Sequence, residues 1–126
     1  MTPGMNRGKI LVVDDAKSIR ETMRLQLINA GYEVLLAEDA VVAGRLVLSD
    51  RPDMIIVDVN MPYMDGYEFV SALKGDPETA AIPVVFLSAS HDVQDRAHEV
   101  GAVAYLHKPV LANKLLEVVA LVKKGK

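Results

Sequence analysis

Three aspartates, a serine and a lysine follow closely on short apolar runs. Ile10-Leu11-Val12-Val13 leads into Asp14-Asp15, and Met54-Ile55-Ile56-Val57 leads into Asp58. Val84-Val85-Phe86-Leu87 leads into Ser88, and Ala104-Tyr105-Leu106 leads into His107-Lys108-Pro109. Brought together, Asp14, Asp15 and Asp58 would repel one another unless a cation offset them. A hard divalent ion such as magnesium suits carboxylate oxygens, backbone carbonyls and water, and it bridges readily to phosphoryl oxygens. One of the adjacent Asp14 and Asp15 could bind it directly, while the other acts through water or orients its neighbour. Lys108 adds an ammonium for a carboxylate or a phosphoryl group, and Ser88 adds a hydroxyl donor. Phosphoryl transfer to Asp58 needs these groups: an in-line carboxylate nucleophile and positive charge around the equatorial oxygens.

The elements that must position these residues follow from the same runs. Continuous apolar runs read as strands buried on both faces, as in a parallel sheet. Lys9 to Val13 reads as a strand and Ala16 to Ala30 as a helix, with Ile19, Met23, Leu27 and Ile28 at helical spacing and Gly31 as its stop. Glu33 to Ala37 is a second strand, and Asp39 caps a helix reaching about Ser49. The third strand enters a loop, Asn60 to Gly66, that Pro62 and Gly66 make tight. Gly66 to Lys74 is a short helix ended by Gly75-Asp76-Pro77, and the fourth strand starts after Pro83. A weaker helix covers His91 to Val100, with Gly101 as its stop. After a short fifth strand, Val110 to Lys124 forms the last helix, with Leu111, Leu115, Val118, Val119 and Val122 on its apolar side. Five strand–helix alternations predict an α/β domain, a five-stranded parallel sheet with helices on both faces. In such sheets ligands bind outside the carboxyl ends of the strands, where all the polar residues above would meet.

Composition narrows the function classes. At 126 residues the chain has the size of one domain, and 51% hydrophobic residues exclude disorder. A net charge of −3 without a basic face argues against nucleic acid as a partner. The absence of cysteine rules out disulfides and thiolate metal sites. No stretch has the length or apolarity of a membrane span or signal peptide, so no membrane insertion and a cytoplasmic location are expected.

Taken singly, each residue has a plainer reading: an aspartate after a strand is often a helix cap, and Lys108-Pro109 is a strand exit. The ordered set is far less easily reached by chance. Asp58-Val59-Asn60-Met61-Pro62-Tyr63-Met64-Asp65-Gly66, Ser88-Ala89 and Gly101-Ala102-Val103-Ala104-Tyr105-Leu106-His107-Lys108-Pro109, with the first strand and Asp14-Asp15, resemble a response-regulator receiver domain of two-component signalling. The match extends over nearly everything from Lys9 to Lys123. It implies a flavodoxin-like (βα)5 doubly wound sheet of strand order 2-1-3-4-5. The implied unit is a stand-alone, chemotaxis-regulator-like receiver over residues 9–124, with 1–8 a flexible N-terminal segment and 125–126 a tail.

That resemblance also implies roles. Asp58 accepts a phosphoryl group from a histidine kinase or phosphotransfer protein. Asp15 and Asp58 bind magnesium through their side chains and Asn60 through its backbone carbonyl, with Asp14 assisting through water. Lys108 pairs with the phosphoryl group, Ser88 moves toward it, and Tyr105 turns inward as Ser88 moves. The surface of the fourth helix, fifth strand and fifth helix then changes for a downstream protein target. Such a chain is a switch, monomer or weak dimer, and no enzyme beyond promoting its own phosphorylation and dephosphorylation. Ser88 stands where the family also uses Thr, and Val110 stands where it often has Phe.

Two rivals carry discriminating features. A magnesium phosphohydrolase with a phospho-aspartate often places a second acid two residues on, where this chain has Asn60. A flavin module needs a phosphate loop after the first strand, where Asp14-Asp15 would repel the phosphate. Ser18, Ile19, Thr22 and Met23 on the first helix are candidates to face a kinase, although Ile19 and Met23 fit a core equally well. The second helix, with Ala40, Val41, Val42, Ala43, Leu46, Val47 and Leu48, suggests an exposed apolar patch. His91, His98 and His107 lack metal-ligand spacing and are expected on loops and helix surfaces.

Overall fold

The strand–helix alternation is realised as five βα units. They are β1 (Lys9–Val13), α1 (Lys17–Asn29), β2 (Glu33–Ala37), α2 (Ala40–Asp50), β3 (Met54–Asp58), α3 (Gly66–Lys74), β4 (Val84–Ser88), α4 (Val93–Glu99), β5 (Ala104–His107) and α5 (Ala112–Lys124). The structure is a computed structural model that describes residues 7–61, 63–89 and 93–124. The strands form one sheet in the order β2-β1-β3-β4-β5, with every neighbouring pair parallel. Order and class agree with the sequence expectation.

Alternation along each strand divides the core in two. Leu11, Val13, Ile55, Val57, Val84 and Phe86 pack with Ala43, Val47, Phe69 and Val70 of α2 and α3. Ile10, Val12, Met54, Ile56, Val85 and Leu87 pack with Met23, Leu27, Leu115 and Val119 of α1 and α5. The central strands β3 and β4 are buried at every residue, which explains their unbroken apolar sequence.

Local chemistry fixes the helix ends. Asp39 accepts the Val42 N–H at 3.0 Å at the start of α2. Asp65 and Glu68 form a reciprocal capping box at α3. Gly31 and Gly101 follow α1 and α4 at φ 99 and 93, a backbone region that favours glycine. Lys74 Nζ donates to the carbonyls of Ala80 (2.9 Å) and Ile82 (2.8 Å), fastening the approach to β4. Burial lowers the Lys74 pKa from its ordinary value.

Several expectations need correction. Ala16 and Ala30 cap α1 instead of lying within it. Ile28 is 39% exposed because Leu27 takes the inward position and its neighbour is rotated away. The last helix starts two residues late: the Leu111 carbonyl accepts the Leu115 N–H, so Leu111 precedes the first turn and its side chain is 68% exposed. Of the apolar residues on α2, Ala40, Ala43 and Val47 are buried, and Val42 and Leu46 pack on the core. The expected patch shrinks to Val41 and Leu48. His98 is exposed on α4, but His107 is the half-buried last residue of β5, and His91 lies outside the described residues. No helix among the described residues is long and apolar enough to cross a membrane.

Candidate functional site

The parallel register brings the carboxyl ends of β1 and β3 side by side, with Val13 opposite Val57. Asp14, Asp15 and Asp58 therefore converge, each offering a carboxylate oxygen within 4.8 Å of the others. Among the described residues this is the one such group of potential metal ligands. Asp14 is fully buried and Asp58 is 4% exposed, whereas Asp15 is exposed.

Lys108 reaches into the cluster from the segment after β5. Its Nζ lies 2.9 Å from Asp14 Oδ2 and 3.1 Å from Asp58 Oδ2. The Lys108 N–H donates to the Ser88 carbonyl at 2.8 Å, which anchors this segment to the end of β4. Burial pushes the Asp58 pKa up, the Asp14 charge pushes it further, and Lys108 offsets only part. Burial alone would lower the Lys108 pKa, but the Asp14 hydrogen bond and the Asp58 charge outweigh it and raise it.

Three polar atoms of Asp14 are hydrogen-bonded, and its buried Oδ2 has only the Lys108 ion pair. Its N–H donates to Ala37 O (3.1 Å), and Oδ1 accepts from Ala16 N (2.9 Å). Oδ2 faces Lys108, and its carbonyl accepts from Arg20 Nη1 at 2.7 Å. Asp58 Oδ1 accepts the Asn60 N–H at 3.2 Å. The following loop closes through Gly66 N–H to Val59 O at 2.7 Å. A Cβ at Gly66 would lie 2.5 Å from the Asp58 carbonyl oxygen, so only glycine lets α3 start this close to the end of β3. Tyr63 at the loop tip has φ 72 and is 89% exposed.

Strand alternation sorts the remaining residues. Asp58 belongs with Met54 and Ile56 on the α1/α5 side, whereas Ser88 belongs with Val84 and Phe86 on the α2/α3 side. Ser88 is 1% exposed and Tyr105 37% exposed. Three features escaped the sequence reading. Arg20 left one signal, a cation in the first turn of a helix, where the dipole disfavours it. The backbone contact at Gly66 left only the tight-loop composition. Tyr67, 5.1 Å from Phe86 and stacked under Arg96 at 4.6 Å, left none.

The sequence matches the response regulator receiver domain over residues 10–120. The chain belongs to this family. Receivers are the phosphoacceptor modules of two-component signalling. The chain is 41% identical over 110 residues to response regulator MprA of Mycobacterium tuberculosis, covering 86% of this chain and 47% of that protein. It thus spans about half the length of the curated relatives it matches. Chemotaxis response regulator CheY4 of Vibrio cholerae superposes with a TM-score of 0.86 at 37% identity, covering 90% of this chain and 97% of that one. The signal receiver domain of a Syntrophus aciditrophicus signal transduction histidine kinase superposes with a TM-score of 0.86 at 36% identity, covering 94% and 91% of the two chains. The receiver fold and its parallel strand order are thus shared with solved relatives.

Proposed function

We propose that Asp58 is the phosphoacceptor of this receiver and that a phosphohistidine of a histidine kinase or phosphotransfer protein is the donor. The observation that carries the reading is Lys108 Nζ shared between Asp14 and Asp58 inside a three-carboxylate cluster. An Asp58 carboxylate oxygen attacks phosphorus, the P–N bond of the phosphohistidine breaks, and the electron pair leaves with the imidazole. Lys108 pairs with the phosphoryl oxygens as they arrive, and Ser88 donates its hydroxyl to one of them.

The donor set fits magnesium: hard oxygens, two carboxylates buried, and burial with a like-charge conflict that already push Asp58 up. Asp15 and Asp58 would hold it through side chains and Asn60 through its carbonyl, with Asp14 acting through water. The ion supplies positive charge that offsets the carboxylates and the incoming phosphoryl oxygens. A groove of about 500 Å³ beside Lys108, lined by Ser18, Ile19, Thr22, Met23, Pro109 and Val110, supports docking of the donor protein there.

Once phosphorylated, Asp58 draws Ser88 inward, Tyr105 follows into the space left, and the face of α4, β5 and α5 changes for a downstream protein. Intact mass after incubation with acetyl phosphate tests the reading. One phosphoryl adduct is expected with magnesium, and none is expected without it or in Asp58→Asn. An adduct of the same yield in Asp58→Asn would place the acceptor elsewhere.

A further inference from the structure

We propose that Arg20 is a positioning residue for the divalent cation. Its guanidinium locks the peptide joining Asp14 to Asp15, so that both carboxylates converge on Asp58. This rests on the phosphoacceptor reading above.

The argument starts from a conflict. Helix α1 has no side-chain N-cap and no acidic residue in its first turn, yet Arg20 stands there near the positive end of the helix dipole. Lys17 opposes the dipole in the same turn but is exposed, whereas Arg20 makes a specific contact. Arg20 is half-buried, and Nη1 donates to the Asp14 carbonyl at 2.7 Å, a short charge-assisted bond. That carbonyl belongs to the planar unit that leads into Asp15. Fixing its oxygen fixes the plane and hence the direction in which the Asp15 side chain departs. Asp14 is held at its other polar atoms by Ala37, Ala16 and Lys108. Arg20 therefore completes the restraint on Asp14 and passes it to Asp15, the one exposed carboxylate of the three. The described bond goes to a carbonyl, so Arg20 is not acting as a simple countercharge to a carboxylate.

The two roles predict opposite signs. Removing a nearby positive charge should tighten binding of a divalent cation, whereas releasing the Asp14-Asp15 peptide should weaken it. Calorimetric titration of the full chain with magnesium chloride at fixed ionic strength reads the difference. Arg20→Ala is expected to raise the magnesium Kd by about tenfold, the scale of a lost supporting hydrogen bond at a metal site. Arg20→Lys, which can still donate to the carbonyl, is expected to stay near wild type. Arg20→Met, which keeps the aliphatic stem, replaces Arg20→Ala if the latter does not fold. An unchanged or tighter Kd in Arg20→Ala overturns the assignment. So does Arg20→Lys binding as weakly as Arg20→Ala, since that points to general loosening of α1. A wild-type chain that gives no magnesium heat overturns the phosphoacceptor reading itself, whereas wild type and Arg20→Ala binding alike overturns only the role of Arg20.

Discussion

The β1–β3 half of the sheet edge and the β4–α4–β5 half are built to different tolerances. Around β1 and β3, Asp14 is held by three hydrogen bonds and the Lys108 ion pair, Asp58 at both carboxylate oxygens, and α3 begins against the Asp58 backbone. Around α4 the grip is weaker. The helix has seven residues, and of its described side chains only Ala97 is buried. Val103 and Tyr105 are 57% and 37% exposed, beside a groove of about 570 Å³ between α4 and β5. Where few apolar side chains are buried, rearrangement costs little, and among the described residues that is the case here. The carboxylate cluster sits in the tight half, and the face proposed above to change on phosphorylation sits in the other one.

The strongest way to break this contrast is to spoil the tight half. Gly66→Ala places a methyl against the Asp58–Val59 backbone, which cannot yield cheaply. A loss of about 2–3 kcal/mol is expected in urea denaturation, typical of overpacking, together with slower labelling by acetyl phosphate.

The next effect is smaller and depends on pH. The folded Asp58 pKa is raised above its ordinary 3.8 by burial and by Asp14, so the folded state binds its proton more tightly than the unfolded chain does. Its contribution to stability is present below 3.8 and is lost as pH rises through the folded value. Asp58→Asn removes that loss. In the absence of divalent ions at neutral pH it should gain on the order of 1 kcal/mol, the size of one typical substitution. The gain should fade on acidification, and thermal melts across acid pH check the sign. Lys108 works in the other direction: its raised pKa gives stability present below 10.5 and lost above the folded value.

The smallest effect sharpens the loose half. Arg96→Met removes the cation stacked on Tyr67 and is expected to cost about 0.5 kcal/mol, the usual size for an exposed cation–π pair. Hydrogen exchange should speed up in α4 and stay unchanged in α3.

The same contrast governs how much the sequence disclosed. Strands β1 and β2 match their expected limits because apolar runs and the turns around Gly31 and Asp39 are local signals. The carboxylate cluster was legible because strand ends in a parallel sheet share an edge. Leu111 and Ile28 misled because apolarity at helical spacing does not reveal where the first turn begins or which of two neighbours faces in. Arg20 and the Tyr67–Arg96 stack depend on contacts across loops and between helices, for which no sequence period exists.

Seated against the Asp58 backbone through Gly66, α3 offers a reference frame within the molecule. Two dyes, one anchored on its exposed face and one on α4, would turn the chain into its own ruler. Any displacement of α4 on phosphorylation would register as a change in separation, while a reporter pair within α3 stayed silent and served as the blank.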